Sequence, residues 1–256
     1  MSSRPENKIV SVIMPAYNAS ATIEQSIRSV MAQTYTEWEL IVVDDGSADD
    51  TCDVVRRLMA EDSRIQLVQN PENKGVSYTR NRGLDLCRGD YVALLDCDDV
   101  WFSKKLEKQL ALATESGADV VYCSYGIVDE AGNVRCDDFI VPPQITYRET
   151  LSHSVISCST ALLSRRVVDA YRFRTDYYHE DLVLWLEILR DGYTAVGVTE
   201  VLAQYRVFEG TRSSNKLKSA ARRWVVIRRC MREPLVSSIG AMLRYAWITL
   251  RKYKKV

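Results

Sequence analysis

The sequence lacks both glycine-rich loops that commonly hold phosphate. Neither G-x-G-x-x-G nor G-x-x-x-x-G-K-[ST] occurs in its 256 residues, which removes the dinucleotide fingerprint and the P-loop from consideration. It also lacks any uninterrupted apolar run long enough to span a bilayer. The first residues, M-S-S-R-P-E-N-K, are polar and lead straight into an apolar stretch, without a signal-peptide pattern. Seven cysteines are scattered with no metal-ligand spacing, so reduced thiols and a cytoplasmic location are expected. What remains is a chain of 46% hydrophobic and 27% charged residues, enough for one large globular domain or two small ones.

Net charge is zero only as an average. Residues 216–256 carry twelve Lys or Arg against one acidic residue, Glu233, a net +11, which leaves −11 on the rest. An acidic body with a basic arm suits an anionic surface. Nucleic acid is a poor match, because the acidic body would oppose it.

The chemistry centres on 90–102, D-Y-V-A-L-L-D-C-D-D-V-W-F. Residues 91–95 read as a short buried strand that stops in carboxylates, placing Asp96, Asp98 and Asp99 at its carboxyl end, where open α/β sheets bind ligands. Alternation along extended backbone turns Asp96 and Asp98 toward one pocket. Carboxylates so crowded repel unless a cation neutralises them, and oxygen ligands suit Mg²⁺ or Mn²⁺. A solvated acidic turn is the other reading.

Before this stretch, strands at 9–14, 38–43 and 65–68 alternate with helices at 21–32, 50–61 and 76–87, the first of them with Thr22 or Ser20 as its cap. Such alternation implies parallel strands joined by right-handed crossovers, helices on both faces and strand tips on one edge. Tyr17, Asp44 and Asp45, Lys74 and Arg80, and the three aspartates then share a crevice. An aromatic ring, carboxylates and cations are what a nucleoside diphosphate needs. Downstream, a helix at 104–115, a strand at 118–122, a hairpin at 126–134 and a strand at 161–163 are expected, with further strands at 193–198 and 201–207. Residues 182–189 form an apolar helix with Glu180 and Asp181 at its start, placed there either to cap it or for chemistry. After Asn215 a helix over 216–231 and a second one after Pro234 are expected. The second has Leu235, Ile239, Met242, Leu243, Ala246 and Leu250 at helical spacing, a pattern for packing on the body or for an anionic membrane.

Four segments together, V-S-V-I-M-P-A-Y-N, Q-T-Y-T-E-W-E-L-I-V-V-D-D-G-S-A-D-D-T, N-K-G-V-S-Y-T-R-N-R-G-L and G-D-Y-V-A-L-L-D-C-D-D-V-W, run in order from about 9 to 110. As a set they resemble glycosyltransferase family 2, the inverting transferases of GT-A fold, of the bacterial surface-polysaccharide type. The resemblance implies a Rossmann-like, mostly parallel sheet in a domain over 1–215. Its nucleotide-sugar half would be 8–125 and its acceptor half 126–215, followed by an amphipathic helical tail over 216–256. It places Pro15, Tyr17, Asp44 and Asp45 at the uridine, Lys74 and Arg80 beside the nucleotide, Asp96 near the ribose and Asp98 on a divalent cation. For Arg80 a salt bridge on its helix is an equal reading. H-E-D at 179–181 resembles the family's Glu-Asp motif, implying Asp181 as catalytic base with Glu180 as substitute and His179 at the acceptor. Arg206 and Arg212 resemble a loop closing over the diphosphate, or else balance surface acids. The implied reaction moves a sugar, with inversion, from a UDP-sugar to a glycan or lipid-linked acceptor at the inner membrane face.

Two rivals fit parts of the pattern. D-C-D-D-V also matches haloacid-dehalogenase-type phosphatases, whose nucleophile would be Asp96, although that motif normally ends the first strand. A non-catalytic sugar-nucleotide or glycan binder would be expected to lack a usable base.

Overall fold

The structure, a computed structural model, describes residues 8–208 and 216–253. Arg212 and most of the expected closing loop, the polar leader, and Lys254 and Lys255 lie outside them. Strands and helices alternate first as β1 (Val10–Ala16), α1 (Ile23–Met31), β2 (Trp38–Asp44), α2 (Thr51–Glu61), β3 (Ile65–Gln69), α3 (Val76–Leu86) and β4 (Tyr91–Leu94). In β1, Val12 and Met14 face one core cluster and Ile13 the other. Both faces are covered, so the strands read as unbroken apolar runs. The side chains α1 and α2 contribute to one core are Ile23, Ile27, Val30, Val55 and Leu58. Leu84 of α3 packs on the opposite side. Neither Thr22 nor Ser20 caps α1: no side chain accepts from its first N–H groups, and the Thr22 hydroxyl turns back to the Ala19 carbonyl instead.

The second half adds β5 (Val100–Trp101), α4 (Lys105–Ser116), β6 (Val120–Val128), β7 (Val134–Phe139), β8 (Gln144–Ile145), α5 (Tyr147–Ser152), β9 (Leu162–Ser164), α6 (Arg165–Ala170), α7 (Glu180–Arg190) and β10 (Ala195–Arg206). Strand order across the sheet is β3-β2-β1-β4-β9-β6-β10-β5, with β7 on β6 and β8 on β10. The first four pair in parallel, as do β6 and β10. Only β9 separates the two parallel groups, antiparallel to both β4 and β6. Two reversals restore the direction, so β1, β2, β3, β4, β6 and β10 all point their carboxyl ends to one edge. The entry turn into β9, a 3₁₀ turn at Cys158–Thr160, reaches that same edge from the opposite direction.

Some expected boundaries shift. The strand at 118–122 and the first arm of the hairpin are one continuous β6, and the segments at 193–198 and 201–207 are one β10, bent by irregularities between Val198 and Ala203. The tail opens with α8 (Lys216–Val225), runs through a wider turn at Val226–Cys230 and ends in α9 (Leu235–Tyr253). It packs on the body: Val226, Ile227 and Met231 join Leu182, Val183 and Leu186 of α7 in a third core cluster, with Ala241 and Met242 of α9 against it.

Gly83 sets how closely α3 lies on the sheet. A Cβ there would stand 2.3 Å from Ile13 Cγ2, far inside van der Waals contact. Helix α3 carries Arg80, so this approach also sets the depth at which Arg80 enters the edge. Gly83→Ala should therefore destabilise by about 1–3 kcal/mol, the cost of overpacking a filled core, read as a lower urea midpoint with an unchanged slope. Stability equal to wild type would show that α3 can shift at no cost.

Candidate functional site

At the common edge a cavity of 560 Å³ is lined by Pro15, Tyr17, Asp45, Arg80, Asp96, Asp98, Glu180 and Asp181, among others. It lies at the carboxyl ends of β1 and β4, where the strand order reverses direction, the usual ligand position in such sheets. Tyr17 is half exposed and lines the cavity. Asn18 follows it at φ +48°, a left-handed conformation that asparagine tolerates. Its backbone N–H donates to Ser47 Oγ at 2.9 Å and its Oδ1 accepts from Ala48 N–H at 2.9 Å, tying the tip of β1 to that of β2.

The two aspartates after β2 differ. Asp45 accepts from Asn70 Nδ2 (2.7 Å), Lys74 N–H (2.9 Å) and Gly75 N–H (2.8 Å). Burial pushes its carboxyl up, but these donors outweigh burial and hold it below the ordinary range. Asp44 is buried beneath the turn and accepts from Ser47 N–H; its Oδ1 has no partner among the described residues. The Lys74 ammonium pairs with Glu72 rather than entering the cavity.

Arg80 is 5% exposed and bridges two carboxylates: Nη2 to Asp96 Oδ1 at 2.7 Å and Nη1 to Glu180 Oε1 at 3.1 Å. Both expected readings of Arg80 meet here, since it is a buried salt bridge and lines the cavity. Glu180 is thereby engaged, and burial followed by the Asp181 charge raises its carboxyl despite Arg80. Among the described residues no ion pair holds Asp181; one oxygen accepts the Leu182 N–H at 2.7 Å. His179 precedes α7. Burial lowers its imidazole, with Arg223 and Arg222 adding to that against the pull of Asp181.

Asp96, Asp98 and Asp99 divide the work of their turn. Asp99 is buried, accepts the Arg206 N–H at 2.9 Å and the Ser159 hydroxyl proton, and faces away from the cavity. Burial, then the charges of Asp98 and Asp96, drive its carboxyl well above the usual range. Burial first and Asp96 second push Asp98 up to about 6. Arg206 neither closes over the cavity nor balances surface acids: it is buried, and its fork donates to the Asp98 carbonyl, the Glu130 carbonyl and Gln25. It holds the turn by its backbone, and among the described residues no ion pair holds the Asp98 carboxylate.

That donor set fits a divalent cation. Asp98 is a raised carboxylate that lines the cavity without an ion pair among the described residues, and a cation there would relieve its repulsion with Asp96. Among the described residues no cluster of three or more His, Cys, Asp or Glu side chains could hold an ion alone, so further ligands would come from a bound diphosphate and water.

Sequence reasoning missed the Cys158–Thr160 turn. Ser159 Oγ accepts the Asp96 N–H at 3.0 Å while giving its proton to Asp99, and its carbonyl accepts Trp101 Nε1–H at 2.7 Å. No local signal in C-S-T marks it. Tyr205 and Asn73 also line the cavity.

Comparison with known proteins agrees with this geometry. The family model described as Glycosyl transferase family 2 matches residues 11–172. The chain is 37% identical over 250 residues to the Escherichia coli "UDP-Glc:alpha-D-GlcNAc-diphosphoundecaprenol beta-1,3-glucosyltransferase WfgD", covering 97% of this chain and 96% of that protein. Among solved structures, S. aureus TarS 1-349 in complex with UDP-GlcNAc superposes with a TM-score of 0.71 at 20% identity, over 96% of this chain and 72% of that one. The mannosyltransferase PcManGT of Pyrobaculum calidifontis, in complex with GDP-Man and Mn²⁺, gives 0.67 at 20% identity, over 93% and 69%. The phosphatase reading fails on position and chemistry, because Asp96 ends the fourth strand and its carboxylate is held by Arg80. A sheet with parallel tips on one edge, carboxylates converging there and a family match over most of its length leave one assignment: the chain belongs to glycosyl transferase family 2 and is a glycosyltransferase of GT-A architecture.

Proposed function

We propose that the enzyme transfers a sugar from a UDP-sugar to a hydroxyl of a lipid-linked glycan with inversion, Asp181 serving as base. The observation that carries this reading is the contrast at 180–181: Glu180 is spent on Arg80, while Asp181 lines the same cavity as Asp98 without an ion pair among the described residues. The uridine lies along Pro15 and Tyr17, with Asp45 fixing the loop beneath it and Asp44 supporting the turn. Asp96 faces the ribose. Arg80 lends positive potential from below, and Lys74 contributes its backbone N–H to Asp45 rather than its charge. Asp98 holds a Mg²⁺ or Mn²⁺ ion, which when bound neutralises the charge of the departing diphosphate. Asp181 takes the proton of the acceptor hydroxyl as its oxygen forms the new bond to C1 and the bond to UDP breaks. Attack from the face opposite the leaving group gives a β-linkage from an α-linked donor.

The name of the E. coli relative specifies a diphosphoundecaprenol-linked acceptor, which supports a lipid-linked acceptor here. No helix among the described residues is long and apolar enough to cross a membrane. Helix α9 instead offers two faces. Ser238, Ala241, Met242 and Tyr245 turn inward, whereas Val236 (84% exposed), Leu243 (68%) and Trp247 (53%) lie on the opposite side. An outward apolar stripe with Arg244 beside it suits the headgroup region of an anionic cytoplasmic leaflet.

Asp181→Asn should leave UDP affinity nearly intact and lower turnover by about 10²–10⁴-fold, the usual contribution of a positioned base. Activity within a few-fold of wild type would remove Asp181 from that role.

Asp98→Asn should abolish metal-dependent UDP binding in calorimetry, and full wild-type activity in EDTA would contradict the cation. The same variant should melt higher than wild type at pH 7 without metal or donor. The raised carboxyl binds its proton more tightly folded than unfolded, so wild type loses stability as pH climbs from about 4 through about 6. Below pH 4 the two proteins should melt alike; a lower melting point for the variant at pH 7 would refute the repulsion.

Leu243→Glu with Trp247→Glu should lose sedimentation with anionic vesicles while UDP binding persists. Unchanged sedimentation at low salt would show that this face does not meet lipid.

A further inference from the structure

A second cavity, of 420 Å³, adjoins the first, and Ser157, His179, Asp181 and Tyr205 line both. The base thus stands at a junction with space on either side, and only one side is accounted for by the donor. On the far side the walls come from three places that the nucleotide site does not use. The β6–β7 ribbon supplies Tyr125 and Phe139, stacked at 5.0 Å between centroids and 23° between planes. Tyr205 tilts onto Tyr125 at 6.0 Å, and His153 meets the edge of Phe139 at 6.0 Å. Helix α9 supplies Tyr245, Ile248 and Thr249 from its inward face. Buried Arg223 of α8 fixes the end of α5 and the residues after it, with Nη1 donating to the Thr150 and Leu151 carbonyls at 3.1 and 2.7 Å and Nη2 to Ser154.

We infer that this cavity is the acceptor port, receiving the terminal pyranose of the acceptor with its C–H face on the Tyr125–Phe139 pair and one hydroxyl directed through the junction to Asp181. Resting on the glycosyl-transfer reading above, it adds where the acceptor sits and that the tail builds part of that place. Three features support it. An aromatic pair beside polar groups matches a ring that is apolar on its faces and hydroxylated at its rim. The volume falls within the range of small-molecule sites, roughly 300–1,000 Å³. The opening lies at the base itself, so a sugar seated there would hold its hydroxyl where a proton must be taken, and positioning of this kind supplies much of an enzyme's advantage. Helix α9 then acts on both sides: Tyr245 and Ile248 close the port while Leu243 and Trp247, on the same helix, face outward.

Two variants test the port from opposite directions. Phe139→Ala removes half of the aromatic pair, and Thr249→Trp fills the space from α9. Full-length proteins are assayed for UDP release with GlcNAc, GalNAc and glucose, each linked through diphosphate to a short alkyl chain, using whichever of them wild type glycosylates. UDP affinity is measured by calorimetry and the fold by thermal melting. The expected result is an acceptor KM raised about tenfold or more in both variants, the scale of one lost or blocked aromatic contact, with UDP affinity within twofold of wild type and Phe139→Tyr restoring most of the loss. Wild-type acceptor KM in both folded variants would overturn the port and leave the transferase reading standing. Wild type that glycosylates none of the three would overturn the lipid-linked acceptor and the port with it.

Discussion

One guanidinium organises the catalytic edge. Arg80 rises from α3 with almost no access to water and is shared between Asp96, at the tip of β4, and Glu180, at the start of α7. Charges this deep are tolerated only when paired, and losing one partner of such a pair costs about 3–5 kcal/mol. The bridge therefore fixes the separation of two segments that are 84 residues apart in the chain. Engaging Asp96 and Glu180 also sorts the carboxylates: among the described residues no ion pair holds their neighbours Asp98 and Asp181, the two to which we assign the chemistry. Arg206 repeats the device one layer down, gripping the turn by the Asp98 carbonyl so that the side chain stays available.

Much of this was legible in the chain because it is local. Strands β1, β2 and β4 are largely apolar runs buried on both faces, and the tips of β2 and β4 announce themselves in D-D-G-S and D-C-D-D. The position of Glu180 and Asp181 at the start of α7 likewise followed from H-E-D before an apolar helix. What escaped depended on distance or brevity. Ser159 reaches the carboxylates only because β9 runs against its neighbours, and nothing near residue 159 encodes that direction. Helices α5 and α6, six residues each, are too short for periodicity to register. The first nonetheless carries a capping box, the Thr146 hydroxyl accepting the Glu149 N–H and Glu149 answering at the Thr146 N–H, a signature visible as T-Y-R-E. For Lys74, residue type suggested a phosphate contact, and a neighbouring glutamate took the charge.

The tail illustrates how one amphipathic pattern serves two environments. Apolar residues on α9 exceed what a single packed face requires, and the surplus lies on the outside. Its inner residues seal a core cluster with α7, which makes the tail a structural part of the enzyme as well as its basic arm.

The reversal at β9, between the two parallel groups, has a further consequence for how such a site is built. A wholly parallel sheet brings only strand exits to its binding edge, so each functional loop follows the strand that supports it. By entering from that edge, β9 delivers a segment that precedes its strand, and the Ser159 hydroxyl touches the Asp96 backbone across 63 positions of sequence. Residues 146–160 therefore lie outside every strand-tip motif, yet the carboxylate turn feels them through one hydroxyl group.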